Sequence, residues 1–98
     1  MSVKIEKIKG LVSICKKAGY LIVGGDNLKG YTQKIYLLLC EKDCGKNLFK
    51  IANNLKQQTN ANLYVLENLA QYTNIEGCRL VAIKNKGLAE QIEKLLKE

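Results

Sequence analysis

The stretch LVSICKKAGYLIVGGDNLK, residues 11–29, decides the fold of this chain. It begins as the end of an amphipathic helix and stops at Gly19, a residue suited to a helix C-terminus. A short apolar strand over 20–23 follows, and Gly24-Gly25 turns the chain into a second helix. A helix, a strand and another helix at this spacing indicate an α/β protein.

The Gly-Gly turn also carries polar residues that can bind a ligand. Asp26, Asn27 and Lys29 are placed around the N-terminus of the second helix. Backbone N–H groups and the helix dipole at such a position favour a negatively charged ligand.

Hydrophobic periodicity extends the same alternation along the whole chain. It predicts helices over 3–18, 26–31, 44–58, 68–72 and 88–98, and strands over 20–23, 34–40, 63–66 and 78–83. Asp43 is the expected N-cap of the third helix, and Asn85-Lys86-Gly87 is expected to form a turn. The alternation predicts a single domain over 1–98, a three-layer α/β/α sandwich with a four-stranded mixed sheet.

The positive charge is concentrated in the first half of the chain. Residues 1–56 contain eleven lysines and four acidic residues, whereas basic and acidic residues balance in 57–98. The net charge of +7 therefore belongs to the half that contains the Gly-Gly turn, which favours a polyanion such as RNA as partner. A lysine-rich surface that only interacts with solvent is the alternative. Arg79 is the sole arginine, so recognition by bidentate arginine contacts is not expected.

The four cysteines are not expected to form a metal site or disulfide bridges. Cys15 and Cys78 lie inside apolar segments, and only Cys40 and Cys44 are close in sequence. Cys15, Cys40 and Cys78 are therefore interpreted as small apolar core residues, with no metal and no cofactor expected.

Catalytic motifs are missing from the sequence. It contains no histidine, which excludes Ser-His and Cys-His catalysis, and Gly24-Gly25 lacks the further residues of a nucleotide-binding loop. We therefore expect a protein that is not an enzyme. With no apolar run long enough for a membrane helix and no signal peptide, a cytoplasmic location is expected.

Three segments resemble the bacterial members of the ribosomal protein L-seven-Ae family, small α/β/α proteins that bind kink-turn RNA. The resemblance extends over nearly the whole chain and rests on CKKAGYLIVGGDN (15–27), IYLLLCEKDCGKN (35–47) and CRLVAIKNKGLAEQI (78–92). The resemblance implies the same sandwich fold and a structured RNA as partner. It makes the ribosome a candidate site of action for a monomeric protein that does not bind membranes.

The resemblance also implies two RNA-binding loops. In the family, the Gly-x-Asn turn enters the widened groove of the kink, where Asn reads purines, and a loop after the third strand covers a flipped-out nucleotide. Lysines from the basic half would contact phosphates. The implied RNA-binding residues are Gly24, Gly25, Asp26, Asn27, Lys29, Lys16, Lys17, Leu66, Glu67 and Asn68.

Both implied loops are shorter than the family pattern. Tyr31 stands where the family has a lysine, and the second helix is roughly five residues shorter, more than one turn. Leu69-Ala70 stands where the family has a Leu-Gly pair. These differences indicate altered RNA specificity, or alternatively a protein-interaction scaffold that has lost specific RNA binding and uses Leu66, Leu69 and Tyr72.

Overall fold

The computed structural model describes residues 3–31 and 33–98, in which five helices alternate with four strands. The elements are α1 (Val3–Lys17), β1 (Leu21–Val23), α2 (Gly25–Leu28), β2 (Leu37–Glu41), α3 (Lys46–Thr59), β3 (Asn62–Leu66), α4 (Ala70–Thr73), β4 (Leu80–Ile83) and α5 (Lys86–Lys97). All nine predicted elements are present, in the predicted order.

The strands form one mixed sheet in the order β1-β4-β2-β3. β4 is antiparallel to both of its neighbours, whereas β2 and β3 are parallel. β1, β2 and β3 therefore run in one direction and β4 runs in the other. Leu38 of β2 pairs with Ala82 of β4 and with Leu63 of β3, which places β2 in the interior of the sheet.

Helices cover both faces of the sheet, because successive side chains of the apolar strands point to opposite sides. Leu37 and Leu39 pack with α1, α4 and α5 on one face, and Leu38 and Cys40 pack with α2 and α3 on the other. The four residues of β4 are all buried in the same alternating way. The predicted α/β/α sandwich with a four-stranded mixed sheet is confirmed.

The start of α3 differs from the prediction. The helix begins at Lys46, and Gly45 rather than Asp43 occupies the N-cap position, with φ 90°. Cys44 N donates to Glu41 O over 3.2 Å, so a tight turn encloses Lys42 and Asp43 before the helix starts. Asp43 lies inside that turn, which leaves it too early in the chain to cap α3.

The start of α5 also differs. Asn85 is its N-cap, and Asn85 Oδ1 accepts from Leu88 N over 2.9 Å. The residues predicted as a separate turn are therefore the N-cap and first turn of the last helix, because an Asn side chain can satisfy a free N–H group there.

All four cysteines are free and buried. The prediction for Cys15, Cys40 and Cys78 is confirmed, and Cys44, for which no burial was predicted, joins Cys40 in the core beneath α3.

The topology brings several loops to one edge of the sheet. β1, β2 and β3 end at this edge, so the segments after Val23, Glu41 and Leu66 lie along it, together with Arg79 at the beginning of β4. In the described part of the chain, no helix combines the length and the apolar character needed to cross a membrane.

Candidate nucleic-acid interface

A continuous depression lies between α2 and α3 at the loop-bearing edge. It consists of two adjoining parts of about 560 and 510 Å³, both lined by Asn47 and Ile51. We call it the α2–α3 groove. Its polar lining side chains are Asp26, Asn27, Lys29, Lys46, Asn47, Lys50, Asn54, Gln58 and Arg79.

The charge of the groove is predominantly positive. Lys29, Lys46, Lys50 and Arg79 line it, against the single carboxylate of Asp26. All four basic residues are exposed. Among the groove's polar side chains, the remaining members are amides, which can both donate and accept hydrogen bonds. The groove therefore suits a ligand that combines phosphates with polar edges.

The N-terminus of α3 opens into the same groove. Gly45, at the N-cap, provides no capping side chain, and the 14-residue helix directs its first N–H groups toward this end. Lys46 and Asn47, the first two helical residues, line the groove. Free N–H groups, the helix dipole and a lysine at one point favour an anionic group such as a phosphate.

Gly25 permits the close packing that forms the groove. A Cβ atom at this position would overlap Leu48 Cδ1 and approach Ile51 Cδ1 to 3.6 Å. α2 can therefore lie against α3 only with glycine or with a displaced Leu48. The turn glycine, implied by the resemblance as an RNA-binding residue, has a packing role within the protein.

Asn27 holds the turn together while remaining exposed. Its Nδ2 donates to Val23 O over 2.7 Å, across the end of β1. An Asn side chain has a second amide hydrogen and a carbonyl oxygen for other partners. Asp26 and Asn27 lie at the start of α2, as predicted, and line one part of the groove. The sequence also placed Lys29 there, but α2 ends at Leu28, so Lys29 is its C-cap and lines the other part of the groove.

The loop after β3 lies at the same edge but on another strand. Three strand spacings, about 14 Å in all, separate β3 from β1. Leu66 is half-buried against the core, whereas Glu67 and Asn68 are exposed. Glu67 pairs with Lys42 over 3.0 Å, so its carboxylate offsets a nearby lysine.

Glu41 fixes this second loop. Its carboxylate accepts from Leu69 N over 2.8 Å and from Asn68 N over 3.1 Å. These hydrogen bonds, chiefly the one from Leu69, hold the pKa of Glu41 below its ordinary value of 4.5. One charged side chain thereby connects the end of β2 to the turn that follows β3.

Lys16 and Lys17 are not brought to the groove. They end α1, a few residues before β1 begins, whereas the Gly-Gly turn follows the end of β1. The two lysines therefore lie toward the opposite edge of the sheet. Lys16 lines a separate depression with Thr73 and Asn74.

Several groove residues were not predicted from the sequence. Lys46, Asn47 and Arg79 reach the Gly-Gly turn, and Lys50 reaches Lys29, only because the topology places β4 beside β1 and packs α3 against α2. Phe49, on the neighbouring side of the α3 N-terminus, is 41% exposed and lines a depression of about 530 Å³ with Lys42 and Lys46. The sequence offered one signal, an aromatic residue between Lys46 and Lys50, but its exposure is visible only in the structure.

The residues named for a scaffold role belong to the core. Leu69 is fully buried, and Leu66 and Tyr72 pack against the same cluster on the α1 side of the sheet. They do not form a separate exposed apolar surface. Within residues 3–31 and 33–98, no three potential metal-binding side chains come together.

Comparisons with known proteins show the fold. No family model matches the chain, and no curated protein matches it. A solved structure of a protein with unknown function from Bacillus halodurans is similar, with a TM-score of 0.78 and 18% identity over 94% of this chain and 98% of the other. At this identity, the likeness shows a shared α/β fold.

Proposed function

We propose that this protein is a small non-catalytic RNA-binding protein, ribosome-associated or of ribosomal-protein type, that acts in the cytoplasm. Its RNA would be structured and kink-turn-like, bound through the α2–α3 groove. The alternative drawn from the sequence, a protein-interaction scaffold, lacks an exposed apolar surface at the residues named for it.

The observation that carries the proposal is the composition of the groove. Four exposed basic side chains, an open helix N-terminus and amides from both helices surround one continuous depression. Lysine and arginine attract the phosphate backbone, and amides such as Asn27 and Asn47 can read base edges. This combination supports a nucleic acid better than it supports a small apolar ligand.

The shape of the groove favours distorted RNA over a regular duplex. In A-form RNA the major groove is too narrow and deep for protein side chains, so a kink or bulge has to expose the bases. Asp26 and Asn27, which are exposed directly after the Gly-Gly turn, would enter such an opening. Phe49 presents a partly exposed ring to which an unstacked base could bind.

A titration against two RNAs tests the proposal. Wild-type protein is expected to bind a kink-turn hairpin more tightly than a plain duplex of equal length at moderate salt. With about four phosphates neutralised, the logarithm of the binding constant should fall with the logarithm of salt concentration with a slope of about −3. Equal affinity for the two RNAs would contradict the kink-turn part of the proposal.

Two lysines on the same helix provide a matched comparison. Lys50 lines the groove, whereas Lys56 is exposed on α3 and does not line it. Lys50→Ala is expected to weaken binding and to reduce the salt slope by about 1. Lys56→Ala should change the affinity little, because Lys56 lies outside the groove. Since both variants lose the same charge, the comparison controls for general electrostatic attraction. Equal losses for the two variants would indicate general electrostatic attraction instead of a site at the groove.

A further inference from the structure

Two buried thiols lie against each other directly beneath the start of α3. Cys40 Sγ and Cys44 Sγ are 3.2 Å apart. The proposed RNA site gives this pair of thiols no role. Cys40 is fully buried, whereas Cys44 is 7% exposed and lines both the α2–α3 groove and the depression beside Phe49. A small molecule in the groove could therefore reach Cys44 first.

We propose that Cys40 and Cys44 form a dithiol site that low-molecular-weight disulfides convert into an intramolecular disulfide bond. Cys44 reacts first, because it is the partner that borders the groove. Cys40 completes the bond from beneath. The site is a modification site in its own right and does not depend on RNA binding.

The reaction balances as two successive thiol–disulfide exchanges. The Cys44 thiolate attacks one sulfur of the small disulfide RSSR, which forms a mixed disulfide and releases the first RS⁻. The Cys40 thiolate then attacks Cys44 Sγ, which forms the Cys40–Cys44 bond and releases the second RS⁻. The two protons lost by the cysteines produce two RSH molecules, so the cysteines are oxidised and RSSR is reduced.

Burial separates the roles of the two thiols. Burial, followed by the contact with Cys44, raises the pKa of Cys40 to about 12. Cys40 is consequently a poor first nucleophile at neutral pH. It needs no diffusion to reach a mixed disulfide on Cys44, since the two sulfurs are already adjacent.

Bond formation should move the start of α3 rather than the sheet. The sulfurs must close from 3.2 Å to about 2.05 Å. Cys40 belongs to β2, which is paired on both sides, whereas Cys44 lies in the turn immediately before Gly45. The shift would therefore fall on Cys44, Gly45 and the first turn of α3. This last step rests on the proposed function, because that turn lines the candidate RNA groove.

Peptide mapping tests the dithiol site directly. Trypsin cleaves after Lys42, between the two cysteines, and after Lys34 and Lys46 on either side. After incubation with oxidised glutathione and alkylation of the remaining thiols, peptides 35–42 and 43–46 should be recovered linked to each other. Cys15 and Cys78 should carry the alkylating label. Four labelled cysteines, or a bridge between other cysteines, would overturn the proposal.

Two serine variants test the order of events. In Cys40→Ser, the mixed disulfide cannot be resolved, so glutathione should remain attached to Cys44. In Cys44→Ser, no adduct is expected at Cys40. An adduct at Cys40, or none in Cys40→Ser, would contradict the assignment of Cys44 as the first thiol. Circular dichroism of both variants checks that each is folded before the reaction.

A binding measurement tests the link to the groove. Oxidised wild-type protein is expected to bind the kink-turn hairpin about fivefold more weakly than reduced protein, and Cys44→Ser should show no such difference. Unchanged affinity on oxidation would contradict the link, while the linked peptides would still establish the disulfide. If neither form binds the hairpin, the proposed function fails and the dithiol result is unaffected.

Discussion

At the residue scale, Gly25 was predicted to form a turn, and the structure gives it a second role in the packing of α2 against α3. The sequence placed a glycine in a turn, and the resemblance implied contact with RNA at that point. The structure places Leu48 and Ile51 of α3 against it. No local sequence pattern around residue 25 predicts this contact, because α2 and α3 are brought together by the fold of the whole chain.

Gly25 and Gly10, which both lie in helices, should respond in opposite ways to alanine. Gly25→Ala must displace Leu48 and is expected to lower the free energy of unfolding by about 1–3 kcal/mol. A Cβ on Gly10 meets nothing within 4 Å, so Gly10→Ala in α1 should raise stability by about 0.5–1 kcal/mol. Urea unfolding measures both values. Destabilisation by Gly10→Ala would contradict the open space that the structure shows beside Gly10.

At the element scale, the helices and strands were largely predictable and their ends less so. Periodicity located every element, since apolar spacing reflects burial on one face or on two. Asp43 failed as an N-cap because the tight turn after β2 delays the helix to Lys46. Such a turn depends on where β2 ends, and the apolar run at 34–40 placed that end one residue too early.

A prediction at this scale concerns the connection between β2 and the turn after β3. The lowered pKa means that unfolding makes the Glu41 carboxyl bind protons more readily. Its stabilising contribution is therefore fully present above about pH 4.5 and is lost as the pH falls through the lowered pKa. Glu41→Gln should reduce the free energy of unfolding by about 1 kcal/mol at pH 7, and the difference should shrink near pH 3.

Glu67→Gln is the matched control for this variant. Glu67 lies in the turn that Glu41 holds, and its carboxylate pairs with the exposed Lys42, so its removal should change stability little at either pH. Urea unfolding of the two variants and the wild type at both pH values gives the comparison. A deficit in Glu41→Gln that is as large at pH 3 as at pH 7 would contradict the role of the carboxylate charge.

At the scale of the whole molecule, strand order determines which loops share a surface. The alternation of elements predicted a mixed sheet but did not specify β1-β4-β2-β3. Only that order places Arg79 and the start of α3 beside the Gly-Gly turn. Lys16 and Lys17, neighbours of the turn in sequence, are separated from it by the length of β1, because that strand lies between the end of α1 and the turn.

The distribution of charge is also a property of the whole molecule. The count along the sequence correctly located the positive excess in the first half of the chain, but that half supplies α1 as well as α3. The groove receives Lys29, Lys46 and Lys50 from it and takes Arg79 from the second half. A charge count could therefore suggest a polyanionic partner without defining the surface.

Mapping of backbone amide shifts by NMR during titration with a kink-turn hairpin tests the central claim most directly. The claim predicts that the amides of 24–30 and 45–51 and that of Arg79 shift or broaden first, as expected for a ligand in the α2–α3 groove. The chemical shifts of amides near the depression formed by Lys7, Ile14 and Lys94 on α1 and α5 should not change. Shifts confined to α1 and α5, with the α2–α3 groove unchanged, would contradict the account.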